Sequence, residues 1–194
     1  MSVPSEPRAF FTEYLPAKVA SLKDKLAGKT STGCLTFRVI GEGEWSLRVT
    51  DGALVVRDGM DDDVIVQVSV AAADFEPLVV AGAREQEGRE IEPEKQVMAF
   101  KALSAPADRV KLVRGVPGSM AFVIRDGEAE RRLAVTPGAQ PHKIDAPDCR
   151  VECAMEDFAD MQAGKQQALQ LVMQGKMKMV GNPQIPMALT GVFA

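Results

Sequence analysis

Apolar positions first recur at helical spacing. In AFFTEYLPAKVASLKDKLA, residues 9–27, Phe11, Leu15, Val19, Leu22 and Leu26 fall on one face, and Gly28 stands where a left-handed residue ends a helix. Pro16 bends or restarts that helix. The period then drops to two. Leu35, Phe37 and Val39 share one face of a strand, Trp45, Leu47 and Val49 share one face of the next, and Gly41-Glu42-Gly43 joins them as a hairpin. Asp51-Gly52, a strong turn dipeptide, leads into ALVVR, and Val64, Val66, Val68 and Val70 keep register in a further strand. The expectation is a leading helix followed by a four-stranded meander. Helical spacing returns after Asp74, read as the N-cap of FEPLVVAG. Residues 83–92 read as a solvated loop or frayed helix end, and Val97, Phe100 and Ala102 mark another helix in KQVMAFKAL.

The second half repeats the first in the same order. GCLTFRVI (33–40) parallels GSMAFVIR (118–125), with Phe37 matching Phe122. Leu47-Arg-Val-Thr-Asp-Gly52 parallels Leu133-Ala-Val-Thr-Pro-Gly138, and VSVAAADF (68–75) parallels VECAMEDF (151–158). RVKLVRGVP (109–117) parallels KMKMVGNP (176–183), which makes 109–117 a strand. Two units follow, 9–117 and 118–194. The second lacks a leading helix and a third strand, so the two are expected to share one core or one continuous sheet.

Residues 155–194 lay out as helix, Gly164, helix, Gly175, strand, Gly181-Asn182-Pro183, helix. Gly164 and Gly175 sit where helix ends need positive φ. Ala168, Leu169, Leu171, Val172 and Met173 leave the middle helix little polar surface, so it is expected to be covered on most sides. Along the strand, Met177 and Met179 point one way and Lys176 and Lys178 the other. Pro183 suits the first turn of a last helix bearing Ile185, Met187, Leu189, Val192 and Phe193.

The order Asp-Phe, Gly-Lys, short apolar helix, Gly-Lys-Met-Lys-Met-Val-Gly-Asn and closing helix resembles the C-terminal half of the sterol carrier protein type 2-like sterol-binding domain. The leading helix, TFRVIGEGEWSLRVTDGALVV and DVIVQVSVAAADF are similar to its N-terminal half. The resemblance implies an α+β fold in which helices cover one face of a mostly antiparallel sheet around an apolar tunnel. It implies a non-catalytic carrier of a hydrophobic small molecule such as a fatty acyl chain, acyl-CoA or sterol, or an accessory module beside an enzyme. Carried onto this chain, the cavity lining would be Phe158, Met161, Leu169, Val172 and Met173 from the first two helices. Met177, Met179, Met187, Leu189 and Phe193 would come from the strand and last helix.

Composition agrees. Of ten methionines, six lie between Met155 and Met187, and thioethers suit a pocket that adapts to an apolar guest. Core filling remains the ordinary alternative for each, and a protein-binding sheet face, docking a partner or a second copy, is the alternative for the whole. With net charge −4 and pI about 5.2, no basic field draws nucleic acid. No apolar run of transmembrane length and no secretion-signal layout occurs, so the expected compartment is the cytoplasm.

Chemistry-bearing residues give no active site. His142 is the single histidine, so a Ser-His-Asp relay lacks its parts, and no cofactor motif occurs. Cys149 and Cys153 would lie on one strand face about 13 Å apart, too far to share a metal ion. Asp61-Asp62-Asp63 reads as a solvated turn, since an EF-hand's spaced oxygens are missing. Gly41-Glu42-Gly43 joins strands and carries acids that repel phosphate. Trp45 reads as core, and Lys176 and Lys178 meet either solvent or an anionic headgroup.

Overall fold

The protein is described from a computed structural model that covers residues 2–21, 27–87, 103, 105–141 and 143–193. Its strands are β1 (Cys34–Ile40), β2 (Gly43–Thr50), β3 (Ala53–Asp58) and β4 (Val64–Ala71) in the first half. In the second half they are β5 (Met120–Asp126), β6 (Ala129–Pro137), β7 (Cys149–Ala154) and β8 (Lys178–Gly181). All eight form one sheet in the order β3-β2-β1-β4-β6-β5-β7-β8. Five neighbouring pairs are antiparallel; β1–β4 and β5–β7 are parallel. The α+β class and the mostly antiparallel sheet agree with the sequence reading. The meander does not: β4 returns to the far side of β1 instead of pairing with β3. Period-two patterning fixes which face a side chain takes but not which strand lies alongside.

Helical segments lie between and after these strands: α1 (Pro7–Ala9), α2 (Leu15–Ala20), α3 (Ala72–Phe75), α4 (Ala81–Glu87) and α5 (Ala107–Arg114). After β7 come α6 (Met155–Gln162), α7 (Ala168–Met173) and, last, α8 (Gln184–Phe193). Wide π turns, Phe10–Tyr14 and Glu76–Val80, join α1 to α2 and α3 to α4. Pro16 and Pro77 sit beside or inside them, where a missing N–H is absorbed by loosening the turn. The chain is helical as far as Glu87, so of the two expectations for 83–92 the helix end, not the loop, describes residues 83–87, and 88–92 lie outside the described residues. The helix expected in KQVMAFKAL, apart from Leu103, lies outside the described residues, as do Leu22, Leu26 and His142.

Register turns the alternating residues into apolar rows across the sheet. One runs Trp45, Phe37, Val68, Val135, Met120, Cys149. The next runs Val39, Val70, Leu133, Phe122, Val151, Met179. Helical aromatics cover these rows. Phe11 stacks on Trp45 at 4.9 Å and meets Phe37 at 4.8 Å and Phe75 at 5.8 Å, while Phe158 meets Phe122 at 5.5 Å. The opposite face carries small and polar residues, yet Thr36, Ser46, Gln67, Ser69, Ala134 and Thr136 are buried there too. Loops fold over them. Ser46 Oγ donates to the Gly59 carbonyl at 2.7 Å, and Gln67 Nε2 donates to the Gly138 and Gln140 carbonyls at 2.6 and 2.9 Å.

Two local expectations change. Asp74 lies within the first turn of α3, where Ala71 is the N-cap. Its carboxylate instead accepts from Arg131 and from the Arg132 backbone N–H, at 3.1 and 3.2 Å, tying α3 to β6. Residues 107–114 are helix, not strand: burial selects Val110 and Val113, spaced by three, and leaves Leu112 in solvent. Other expectations hold. Asp51 and Gly52 both take positive φ, as a two-residue type I′ hairpin between β2 and β3 requires, and Gly164 and Gly175 have φ of 68° and 72° at the ends of α6 and α7.

Phe11→Ala should cost about 3–5 kcal/mol of stability in urea denaturation, as loss of a fully buried aromatic does, and should shift Trp45 emission to the red. Gln67→Leu, which orphans two loop carbonyls, should cost about 1–3 kcal/mol. Unchanged midpoints would show that the aromatic contacts and the Gln67 bridges do not hold the sheet.

Candidate functional site

The expected lining residues separate into two groups. Phe158 on α6, Met177 before β8 and Leu189 on α8 are buried, and Met161 and Val172 are half-buried against the same core. Leu169 and Met173 on α7 are 68% and 81% exposed, Met187 on α8 is 71% exposed, and Met179 on β8 is 43% exposed. The Phe193 side chain lies outside the described residues. The covered middle helix is therefore corrected: α7 has six residues and buries Leu171 alone. Its start is held by a capping box in which Gln167 and Gln170 each bond the other's backbone. Leu169 and Met173, four residues apart, form one outward stripe.

Beside α7 the structure places a cleft of ≈ 410 Å³ lined by Arg125, Glu152, Cys153, Ala154, Gly175, Lys176 and Lys178. Parallel pairing of β5 and β7 brings Arg125 opposite Ala154, and β7–β8 pairing sets Glu152 opposite Lys178. The turn after α7 adds Gly175 and Lys176. Arg125 lies 3.5 Å from Glu152, and Lys176 lies 3.1 Å from Asp157. Among the described residues Lys178 has no ion-pair partner. Three cations thus face one carboxylate in the cleft wall. Cys153 contributes a thiol whose pKa burial, aided by the Asp157 charge, pushes up to about 11, so it is a neutral, weakly polar surface.

Lys176 and Lys178 were candidates from sequence; Arg125 and Glu152 were not. Strand parity puts both on the same sheet face, but their proximity depends on the parallel β5–β7 neighbourhood, which local pattern does not reveal. All three cysteines are free and buried, and Cys149 and Cys153 share the buried face of β7 as expected. Asp61 and Asp63 are not simply solvated. With Cys34 they bring ligand-type atoms within 4.8 Å of one another, but Arg48 occupies this cluster, hydrogen-bonding Asp63 and lying 3.6 Å from Asp61. The Arg48 hydrogen bond lowers the Asp63 pKa, and burial raises that of Cys34. The chemistry there is an ion pair.

Residues 99–194 match the model of the SCP-2 sterol transfer family, and this part of the chain is a domain of that family. It is a family of lipid-binding and transfer proteins, generally non-catalytic carriers, which also occurs within enzymes. The match begins ahead of α5, so the helix at 107–114 falls inside the family segment. Among solved structures, the chain is similar to sterol carrier protein domain 2 of Helicoverpa armigera at 26% identity, covering 55% of this chain and 92% of that one, with a TM-score of 0.34. It is also similar to sterol carrier protein 2 of Yarrowia lipolytica, in its apo form, at 19% identity over 50% of this chain and 90% of that one, TM-score 0.34. Sterol carrier protein 2 of Aedes aegypti in complex with C16 fatty acid (palmitate) matches at 16% identity over 50% and 94%, TM-score 0.33. No curated protein matches the chain.

At pH 8 Cys153 should react with iodoacetamide far more slowly in the folded protein than in urea, with a rate that climbs only as pH approaches about 11. Mass-spectrometric mapping of the alkylated thiols checks this, and folded-state labelling as fast as unfolded would contradict the neutral, shielded thiol.

Proposed function

We propose that the protein binds a lipid or other hydrophobic small molecule without chemically altering it, in an apolar space between the sheet and the helices of residues 155–193. The observation that carries this reading is the family match over 99–194, which contains all ten lining candidates. Phe158, Met161, Val172, Met177 and Leu189 supply the inner wall, over Phe122 and Val151 of the sheet. A fatty acyl chain, acyl-CoA or sterol is the guest class. The exposed stripe of Leu169 and Met173 supports the reading from outside. Large apolar side chains held in water at a carrier's surface lose that cost when they meet a guest or the surface that delivers it.

The same proposal extends to the organisation of the chain as two sterol-carrier-like units within one sheet. Its support is the parallel pairing: Phe37 stands opposite Val68 and Phe122 opposite Val151, the positions that the sequence repeat equates. The hairpin partners agree less closely. Phe37 faces Trp45 whereas Phe122 faces Leu133, two residues from the equivalence of Leu47 with Leu133. With α5 inside the family segment, a second unit counted from 99 rather than 118 would carry a leading helix of its own.

A second reading, a protein-interaction module with a filled core, draws on the same exposed stripe together with the burial of Phe158, Met177 and Leu189. One experiment separates the two. Under the carrier reading, native mass spectrometry of the purified chain shows bound lipid. Methyl NMR then shows Met161 and Met177 shifting on titration with fatty acid, sterol or acyl-CoA. No lipid adduct, and inner methionine signals indifferent to all three, would leave only the filled-core module.

A further inference from the structure

We infer that the first half of the chain carries its own occupant: Phe11 fills, between sheet and helices, the place that the second half leaves to a guest against Phe122 and Phe158, so that one guest binds per chain. The inference rests on the carrier reading and adds to it the number of guests and the point at which a guest meets the sheet. In the sequence repeat, Phe37 and Phe75 are the counterparts of Phe122 and Phe158. Each pair sets a strand ring against a helix ring. Phe122 and Phe158 meet directly, with centroids 5.5 Å apart, whereas Phe37 and Phe75 stand 6.4 Å apart and Phe11 lies against both, at 4.8 and 5.8 Å.

Further rings hold Phe11 in place. It stacks on Trp45 at 4.9 Å and meets Phe10 edge-on at 5.2 Å, and Phe10 in turn meets Tyr14 at 5.4 Å and Phe75 at 5.5 Å. The wide turn Phe10–Tyr14 buries the neighbours Phe10 and Phe11 together with Tyr14. Among the described residues of the second half, nothing supplies a third ring. Helix α5 turns Val110 and Val113 inward and packs on α8 and β4. Trp45, two residues before Leu47, corresponds to Arg131, two before Leu133, and the Arg131 guanidinium is taken by Asp74 and Asp126. The wall of the second half relies instead on Met161 and Met177, thioethers that repack around a guest as interlocked rings do not. A guest beside Trp45 would first have to expel Phe11 into water. Displacing a buried aromatic in this way weakens binding by roughly 10²-fold or more, which restricts guests to the second half.

The test uses the full chain with dibromostearate, whose bromines quench tryptophan on contact, and stearate as the non-quenching control. Trp45 is the single tryptophan, so its emission reports on the first half, and the methyl signals of Met161 and Met177 report on the second. Native mass spectrometry counts guests, whether added or carried through purification. The expected result is one adduct per chain, shifted Met161 and Met177 methyls, and equal Trp45 emission with the two fatty acids. Phe11→Ala, once its circular dichroism verifies the fold, should admit a second adduct and let dibromostearate quench Trp45. The wild-type comparison decides the inference whether or not that variant folds. Two adducts on the wild-type chain, or Trp45 quenched by dibromostearate, overturn it and leave the carrier reading in place. A folded Phe11→Ala chain that keeps one adduct and an unquenched Trp45 overturns Phe11 as the occupant. An adduct that moves neither methionine overturns the location against Phe122 and Phe158. If neither fatty acid binds and the purified chain carries no lipid, both readings fall.

Discussion

Strand β4 has a neighbour on each side that belongs to a different half of the chain, and the architecture depends on this junction. On one side it runs parallel to β1; on the other it runs antiparallel to β6, with Val66, Val68 and Val70 opposite Pro137, Val135 and Leu133. Without the second pairing each half would end in an unpaired edge through its apolar centre, an invitation to aggregate. With it, the apolar rows pass uninterrupted from Trp45 to Cys149. The junction is held beyond its ladder as well: Gln67 reaches from β4 to the Gly138 and Gln140 carbonyls, and Asp74, just after β4, holds Arg131 of β6. Since Gln67 and Asp74 bond across the seam, the halves share their polar satisfaction as well as their core.

How much of this was legible follows from what each signal measures. Alternation located the first four strands and the hairpin between the first two, because period two reports the face of a strand and a short turn reports its neighbour; the pairing of Leu35 with Leu47 and Phe37 with Trp45 comes from the structure. It did not report that β4 pairs with β1, since that contact is closed by more than twenty intervening residues. Residues 109–114 show the limit at the level of one element. Arg-Val-Lys-Leu-Val-Arg places Val110 and Leu112 two apart and Val110 and Val113 three apart, so the local pattern serves strand and helix equally. Tertiary burial decides, hiding Val110 and Val113 and leaving Leu112 outside.

The candidate site was read with similar asymmetry. Counting methionines and leucines identified a segment that is apolar but not the direction each side chain takes. A six-residue helix makes under two turns, so it offers a single narrow face to the core. In α7 that face is spent on Leu171, and Leu169 and Met173 are turned outward by geometry whatever their hydrophobicity. The charged cleft escaped notice for the opposite reason. Its residues come from three strands and a turn, each unremarkable alone, and only the sheet order assembles them.

Lysines on β8 have an explanation that needs no ligand. This strand is four residues long and forms the edge of the sheet, where a charge in the ladder discourages pairing with another chain. That accounts for Lys178 and, by its position just before the strand, for Lys176. It does not account for Arg125, the last residue but one of β5, which lies inside the sheet between β6 and β7, where no edge is exposed. Nor does it require a cleft, because edge protection is served equally by a lysine extended into water. An interior-strand arginine and two lysines at the edge line one hollow, an arrangement that protection of a sheet edge alone does not require.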